Sequence, residues 1–176
     1  MGQVRVTGRD AARFLEKMTV VDTQALAPGM ASLSLLMLET GGIKDDCIIT
    51  KVSDNEFFVV LNAGCKMTDL AHIAQYKGNM DVGVFYSESN SLIAIQGPKS
   101  QYLLEMVLSL KRGALNPMPF MTANFNHRYD GVPIIVSRCG YTGEDGFEVS
   151  VPNDKIEHFM EALMEPNDES DGTPIG

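Results

Sequence analysis

The turn at Ser53-Asp54-Asn55 constrains this chain more than any other short stretch. It separates two apolar runs of strand character, residues 43–52 and 57–61, and leaves room only for a reversal. Parallel neighbours need a crossover of roughly a dozen residues or more, so these two runs pair antiparallel. Gly41-Gly42 makes the same demand one step earlier, between residues 32–38 and 43–52. Further strands are predicted at 3–7, 82–86, 92–95, 120–125, 132–136 and 147–151.

Helical periodicity interrupts these runs. Ala11, Phe14, Leu15 and Met18 fall at i, i+3, i+4 and i+7 and define one apolar helix face. Asn62-Ala63-Gly64 opens a second helix, with Met67, Leu70, Ile73 and Ala74 as its face. Gly97-Pro98 starts a third, facing inward with Leu103, Met106, Val107 and Leu110. Ile156, Phe159, Met160 and Leu163 define a fourth. Strands followed by a helix, again and again, is the order of an α+β fold. The expectation is mainly antiparallel sheets with packed helices, partly ferredoxin-like in the split βαβ sense. The residues themselves show no internal repeat. One domain is expected over 1–165, with a polar tail or linker over 166–176. The eleven methionines, mostly on helix faces, read as core filling.

Composition narrows function by exclusion. A net charge of −9 lacks the basic footprint of a general nucleic-acid grip. No apolar run approaches the ~20 residues of a membrane span, and no signal peptide is visible. The three cysteines, Cys47, Cys65 and Cys139, are far apart and odd in number, which fits a reduced compartment. No CxxC pair exists and His72, His127 and His158 share no ligand spacing, so no metal site is expected.

Three stretches carry chemistry worth weighing. Arg138-Cys139-Gly140-Tyr141-Thr142-Gly143-Glu144-Asp145-Gly146-Phe147-Glu148 reads equally as a well-made turn and as a site. Glu148, just inside a strand beside Gly146, is placed to accept two parallel N–H bonds from a guanidine-like edge such as that of a pterin, and Tyr141 to stack nearby. In Gly41-Gly42-Ile43-Lys44-Asp45-Asp46, pleating sends the adjacent carboxylates to opposite faces, so one of Asp45 and Asp46 turns inward. Asn62 of Asn62-Ala63-Gly64-Cys65 reads as a helix cap or a ligand contact. Cys65 at a helix start lacks a histidine placed to make it a nucleophile.

Taken together, GGIKDD (41–46), VVLNAGC (59–65), AIQGP (94–98), PFM (119–121) and RCGYTGEDGFEVSVP (138–152) resemble the T-protein family of the glycine cleavage system, the aminomethyltransferases. The resemblance covers nearly the whole chain. Lys44 and Cys47 depart from the family, which favours an apolar residue and a leucine there. The resemblance implies a truncated folate-binding aminomethyltransferase fold. It also implies transfer of a one-carbon unit from an aminomethyl group on the lipoyl arm of the H-protein to tetrahydrofolate, as co-substrate, releasing ammonia. It assigns the catalytic role to Asp46, turned inward with Asp45 outward, and folate contacts to Asn62, Tyr141 and Glu148. The opening Met1-Gly2-Gln3 and closing Pro174-Ile175-Gly176 resemble interior family segments, so the chain is expected to be the middle of a longer protein, inactive by itself. Agreement with the mitochondrial branch points to a matrix enzyme, a bacterial cytoplasmic parent being the alternative. The rival reading is a folate-binding paralogue without aminomethyl transfer, of the iron–sulfur assembly or dimethylglycine/sarcosine type. The iron–sulfur assembly proteins carry a KGCYxGQE motif that this chain lacks.

Overall fold

The computed structural model describes residues 1–165 and divides into two compact units, Met1–Glu88 and a second that begins at Ser89. The expected tail over 166–176 lies outside the described residues.

The first unit runs β1 (Gly2–Thr7), α1 (Ala11–Met18), β2 (Ala31–Met37), β3 (Ile43–Ser53), β4 (Glu56–Leu61), α2 (Lys66–Tyr76) and β5 (Gly83–Tyr86). Its sheet has the order β2-β3-β4-β1-β5, every neighbour antiparallel. Both hairpins demanded by the short turns are present: Ile49 lies opposite Ser32 and Val59. Because β1 lies between β4 and β5, the path β4-α2-β5 is a split βαβ unit. One face of the sheet carries Val4, Val6, Ile49, Phe57, Val59 and Leu61 into a core shared with α1. The predicted α1 face is the buried one, Ala11, Phe14, Leu15 and Met18.

The second unit runs β6 (Asn90–Gln96), α3 (Ser100–Val107), β7 (Thr122–Asn124), β8 (Arg128–Tyr129), β9 (Val132–Pro133), β10 (Ile135–Arg138), β11 (Gly146–Pro152) and α4 (Ile156–Met164). Its sheet has the order β6-β11-β10-β7, again antiparallel throughout. Phe147, Val149 and Val151 of β11 point to one face, into a core with Leu104 of α3 and Phe159 and Leu163 of α4.

The two units repeat one chain path. In each, a strand, a helix, three sheet strands and a helix follow in turn. The first strand of each pairs with the fourth: β1 with β4, and β6 with β11. The amino-acid sequence shows no repeat because the likeness lies in topology, which many apolar patterns satisfy equally well.

Several local expectations need correction. On α2, Met67 is 66% exposed, whereas Asp69, His72 and Ile73 are buried. The helix turns a partly polar face inward because that face finds partners: His72 Nε2 donates to the Met37 carbonyl at 3.0 Å. On α3, Met106 is exposed and Leu104 and Glu105 are buried. Met18 fills the core, but Met30, Met67 and Met106 are all exposed, so core filling does not describe the methionines as a group. The strand expected at 132–136 breaks at Ile134. Its first part forms a small hairpin, β8-β9, over Asp130 and Gly131, both at positive φ (49° and 77°).

Glu105 explains its own burial. Its carboxylate accepts the backbone N–H groups of Gly113 (2.8 Å) and Leu115 (2.9 Å) and the Gln101 amide (2.9 Å). Burial opposes its ionisation, but these donors hold the carboxyl below the ordinary glutamate range. Glu105→Gln keeps one acceptor oxygen and should cost about 1–2 kcal/mol in urea unfolding. A change below about 0.5 kcal/mol would show that the loop does not depend on the carboxylate.

Candidate functional site

In the first unit the site is built where β3 begins and β4 ends. Leu36 lies opposite Asp45 but Met37 lies opposite Ile43, so Lys44 is one residue too many in β3, a bulge. Beyond it the pleat is regular. Asp45 shares a face with Cys47 and Ile49, which point into the core toward the helices. Asp46 therefore lies on the helix-free face.

The expected split of the carboxylates holds, but the assignment of Asp45 outward does not. Asp45 is half-buried and its Oδ2 is fully enclosed. β4 ends at Leu61, opposite Cys47, so Asn62 stands at the sheet end within reach of both acids. Its Nδ2 donates to Asp45 Oδ1 at 3.0 Å and to Asp46 Oδ1 at 2.9 Å. Asn62 therefore does not cap α2 with its side chain; the capping position belongs to Cys65, which makes no side-chain cap bond.

Electrostatics sort the members of this cluster. Burial works against ionisation of Asp45, but the Asn62 amide and the Asp46 N–H (2.9 Å) outweigh it and hold the carboxyl below the usual range. Asp69, fully buried on α2 and absent from the sequence expectations, is pushed up to about 6 by burial and by Asp45. The Cys65 thiol is exposed and pushed up by its hydrogen bond with Asp45, so it is no activated nucleophile. Cys47 is pushed up to about 12 by burial and by the charges of Asp46, Asp69 and Asp45.

In the second unit the stretch 138–148 is a β-hairpin loop closed by its own ion pair. Arg138 Nε and NH2 donate to Asp145 Oδ1 (2.8 Å) and Oδ2 (2.6 Å). The guanidinium also donates to the carbonyls of Leu115 (3.1 Å) and Met118 (2.9 Å) and to Gln101 Oε1 (3.1 Å). Its hydrogen bond holds the Asp145 carboxyl below the ordinary range. Gln96 lies against this loop, its amide donating to the carbonyls of Cys139 (3.2 Å) and Phe147 (3.4 Å). A Cβ at Gly140 would sit 2.0 Å from Gln96 Oε1, and one at Gly146 2.2 Å. The space beside Gly146, expected to admit a ligand, is thus taken by Gln96.

Glu148 lies on the helix-free face of its sheet, in a cross-strand row with Ala94, Ser137 and Ala123. All three neighbours in that row are small. It is only 6% exposed. Burial pushes its carboxyl up, opposed by a hydrogen bond with the Cys139 thiol. Tyr141 stands on the loop, 75% exposed. The structure therefore joins Asp46 to Asn62 in the first unit, and places Tyr141 and Glu148 in the second.

The model of the GCVT N-terminal domain matches residues 1–176. The chain belongs to that family. Among GCVT relatives, the mitochondrial aminomethyltransferase of Mesembryanthemum crystallinum is 40% identical over 169 residues, covering 92% of this chain and 40% of that protein. That of Dictyostelium discoideum is 41% identical over 171 residues, covering 93% of this chain and 41% of that protein. The chain thus spans about 40% of the length of these relatives. The solved glycine cleavage aminomethyltransferase T of Bartonella henselae superposes with a TM-score of 0.82 at 32% identity, over 93% of this chain and 43% of that one. The α+β expectation and the family resemblance are both borne out. The heterotetrameric sarcosine oxidase of Corynebacterium sp. U-96 shares the fold at 16% identity, with a TM-score of 0.63 over 93% of this chain and 77% of that one. The GCVT motifs gain a physical meaning here: AIQGP and RCGYTGEDGFE meet through Gln96 and the two glycines it touches.

Proposed function

We propose that this chain is part of a glycine cleavage aminomethyltransferase that transfers the one-carbon unit of an H-protein-bound aminomethyl group to tetrahydrofolate, releasing ammonia. The observation that carries this reading is Glu148: a buried carboxylate among small neighbours, with a thiol as its hydrogen-bond partner. Such a group has acceptor capacity to spare. The aminopyrimidine edge of a pterin supplies two parallel N–H donors, the partner a carboxylate takes best. Tyr141 adds a ring face for the same ligand. In the first unit, Asp46 is held by the Asn62 amide on the helix-free face, where it steers proton movement during ammonia loss. Asn62 contributes a further folate contact. In this reading the lipoylated H-protein is the partner and the mitochondrial matrix the compartment; the names of the relatives support a mitochondrial setting.

Tetrahydrofolate should raise the melting temperature of the full-length parent. Glu148→Ala removes charge-assisted bonds and should weaken binding tenfold or more, at about 1.5–3 kcal/mol per bond. Asp46→Ala should abolish most turnover while the protein stays folded. A parent protein whose melting temperature does not respond to tetrahydrofolate would sink the reading.

A further inference from the structure

Asp69 has no place in the reading so far. It occupies the first turn of α2, is fully buried, and neither of its carboxyl oxygens has a hydrogen-bond donor. Asp45 Oδ2, also enclosed, has none either. These two carboxyl groups face each other across the space between α2 and β3. Two carboxylates cannot donate to one another, and buried acceptors without donors are costly. Orphan acceptors on both sides of one contact mark the place of a shared proton.

The proton belongs on Asp69. Asp45 already accepts from the Asn62 amide and the Asp46 N–H at Oδ1, and from the Cys65 thiol, all of which favour its charged form. Asp69 receives no such help. The charged and titratable groups around it are Asp45, Asp46, Lys44 and Cys47 of β3, and Cys65 at the start of its own helix. Lys44 and the helix start favour an anion at Asp69; burial and Asp45 oppose it, so Asp69 keeps its proton up to about pH 6.

We propose that Asp69 is a positioning residue, a carboxylic acid that donates to Asp45 and so fixes the Asp45–Asn62–Asp46 chain by which Asp46 is presented to substrate. Its effect on substrate rests on the folate reading; the carboxyl pair does not. Asp69→Asn keeps a donor toward Asp45 at every pH, whereas Asp69→Leu fills the space without one.

The test has two arms. In carboxyl-carbon NMR titrations of this chain, one aspartate should titrate near pH 6, a step missing in Asp69→Asn. If Asp69 titrates near its ordinary value of 3.8, the pair is disproved whatever folate does. In the full-length parent at about pH 5.5, Asp69→Leu should weaken tetrahydrofolate binding about tenfold or more and Asp69→Asn should stay within about threefold of the natural protein, with a flatter pH profile for Asp69→Asn between 5 and 7. Equal losses in two folded variants, or a pH profile unchanged in Asp69→Asn, would overturn the positioning role. A natural parent that binds no tetrahydrofolate, with the NMR step intact, would fault the folate reading and leave the pair standing.

Discussion

Arg138→Ala should cost the second unit about 3 kcal/mol, measured by urea unfolding. The guanidinium is mostly enclosed, with 16% of its side chain exposed, and it satisfies a carboxylate, two carbonyls and an amide at once. Removing one partner of such a pair costs about 3–5 kcal/mol when the pair is fully buried. Asp145 retains 35% exposure and regains some hydration, which places the expected loss at the lower end. Arg138→Lys keeps the charge but loses the fork, and should recover less than half of the stability. The loop that carries Tyr141 is closed by this residue, so the same variant should speed amide hydrogen exchange at 140–145. A loss under about 0.5 kcal/mol with unchanged exchange would mean that the hairpin closes without its ion pair.

The stability of the first unit should fall as pH rises from about 4 to about 6.5. Asp69 is held up to about 6 in the folded protein, against 3.8 for the free side chain. Between those values the folded state binds more protons than the unfolded one. The contribution is therefore complete below the unfolded value and is lost as pH climbs through the folded one. About two pKa units correspond to about 3 kcal/mol as an upper bound. Asp45 has the opposite sign: its carboxyl is lowered, so its contribution disappears only as pH falls below the ordinary range. The two windows do not overlap. Glu148, raised by burial, shares the sign of Asp69, so the informative quantity is the difference between the natural protein and Asp69→Asn. That difference should be smallest near pH 4, where both side chains are neutral donors, and should grow in favour of Asp69→Asn as pH rises to about 7. A difference independent of pH would remove Asp69 from the account.

Much of the architecture was legible because short turns leave a chain few choices. Ser53-Asp54-Asn55 and Gly41-Gly42 dictated antiparallel hairpins, and the hairpins are there. The faces of α1 and α4 followed from apolar spacing, since those faces bury nothing charged. The α2 and α3 faces did not follow. An acid at a helix position reads as solvent-facing unless its partner is known, and the partners of Asp69 and Glu105 come from β3 and from the loop after α3. The same blindness reversed Asp45. Cys47 and Ile49 lie two and four positions along its face and are buried, a usable signal. It was obscured because Ile48, on the other face, is apolar too. The β8-β9 hairpin had its mark in Asp130-Gly131, a favoured two-residue turn whose flanking strands are too short to show alternation.

Gln96, Gly140 and Gly146 have a consequence for descent. The amide occupies the volume that side chains at the two glycine positions would need. A side chain at either glycine position obliges the Gln96 amide to move off the carbonyls of Cys139 and Phe147, and a shorter residue at 96 removes that conflict at both positions. The three positions should therefore change together or stay fixed together, although they lie in two separate motifs. They amount to one contact recorded in two places along the chain.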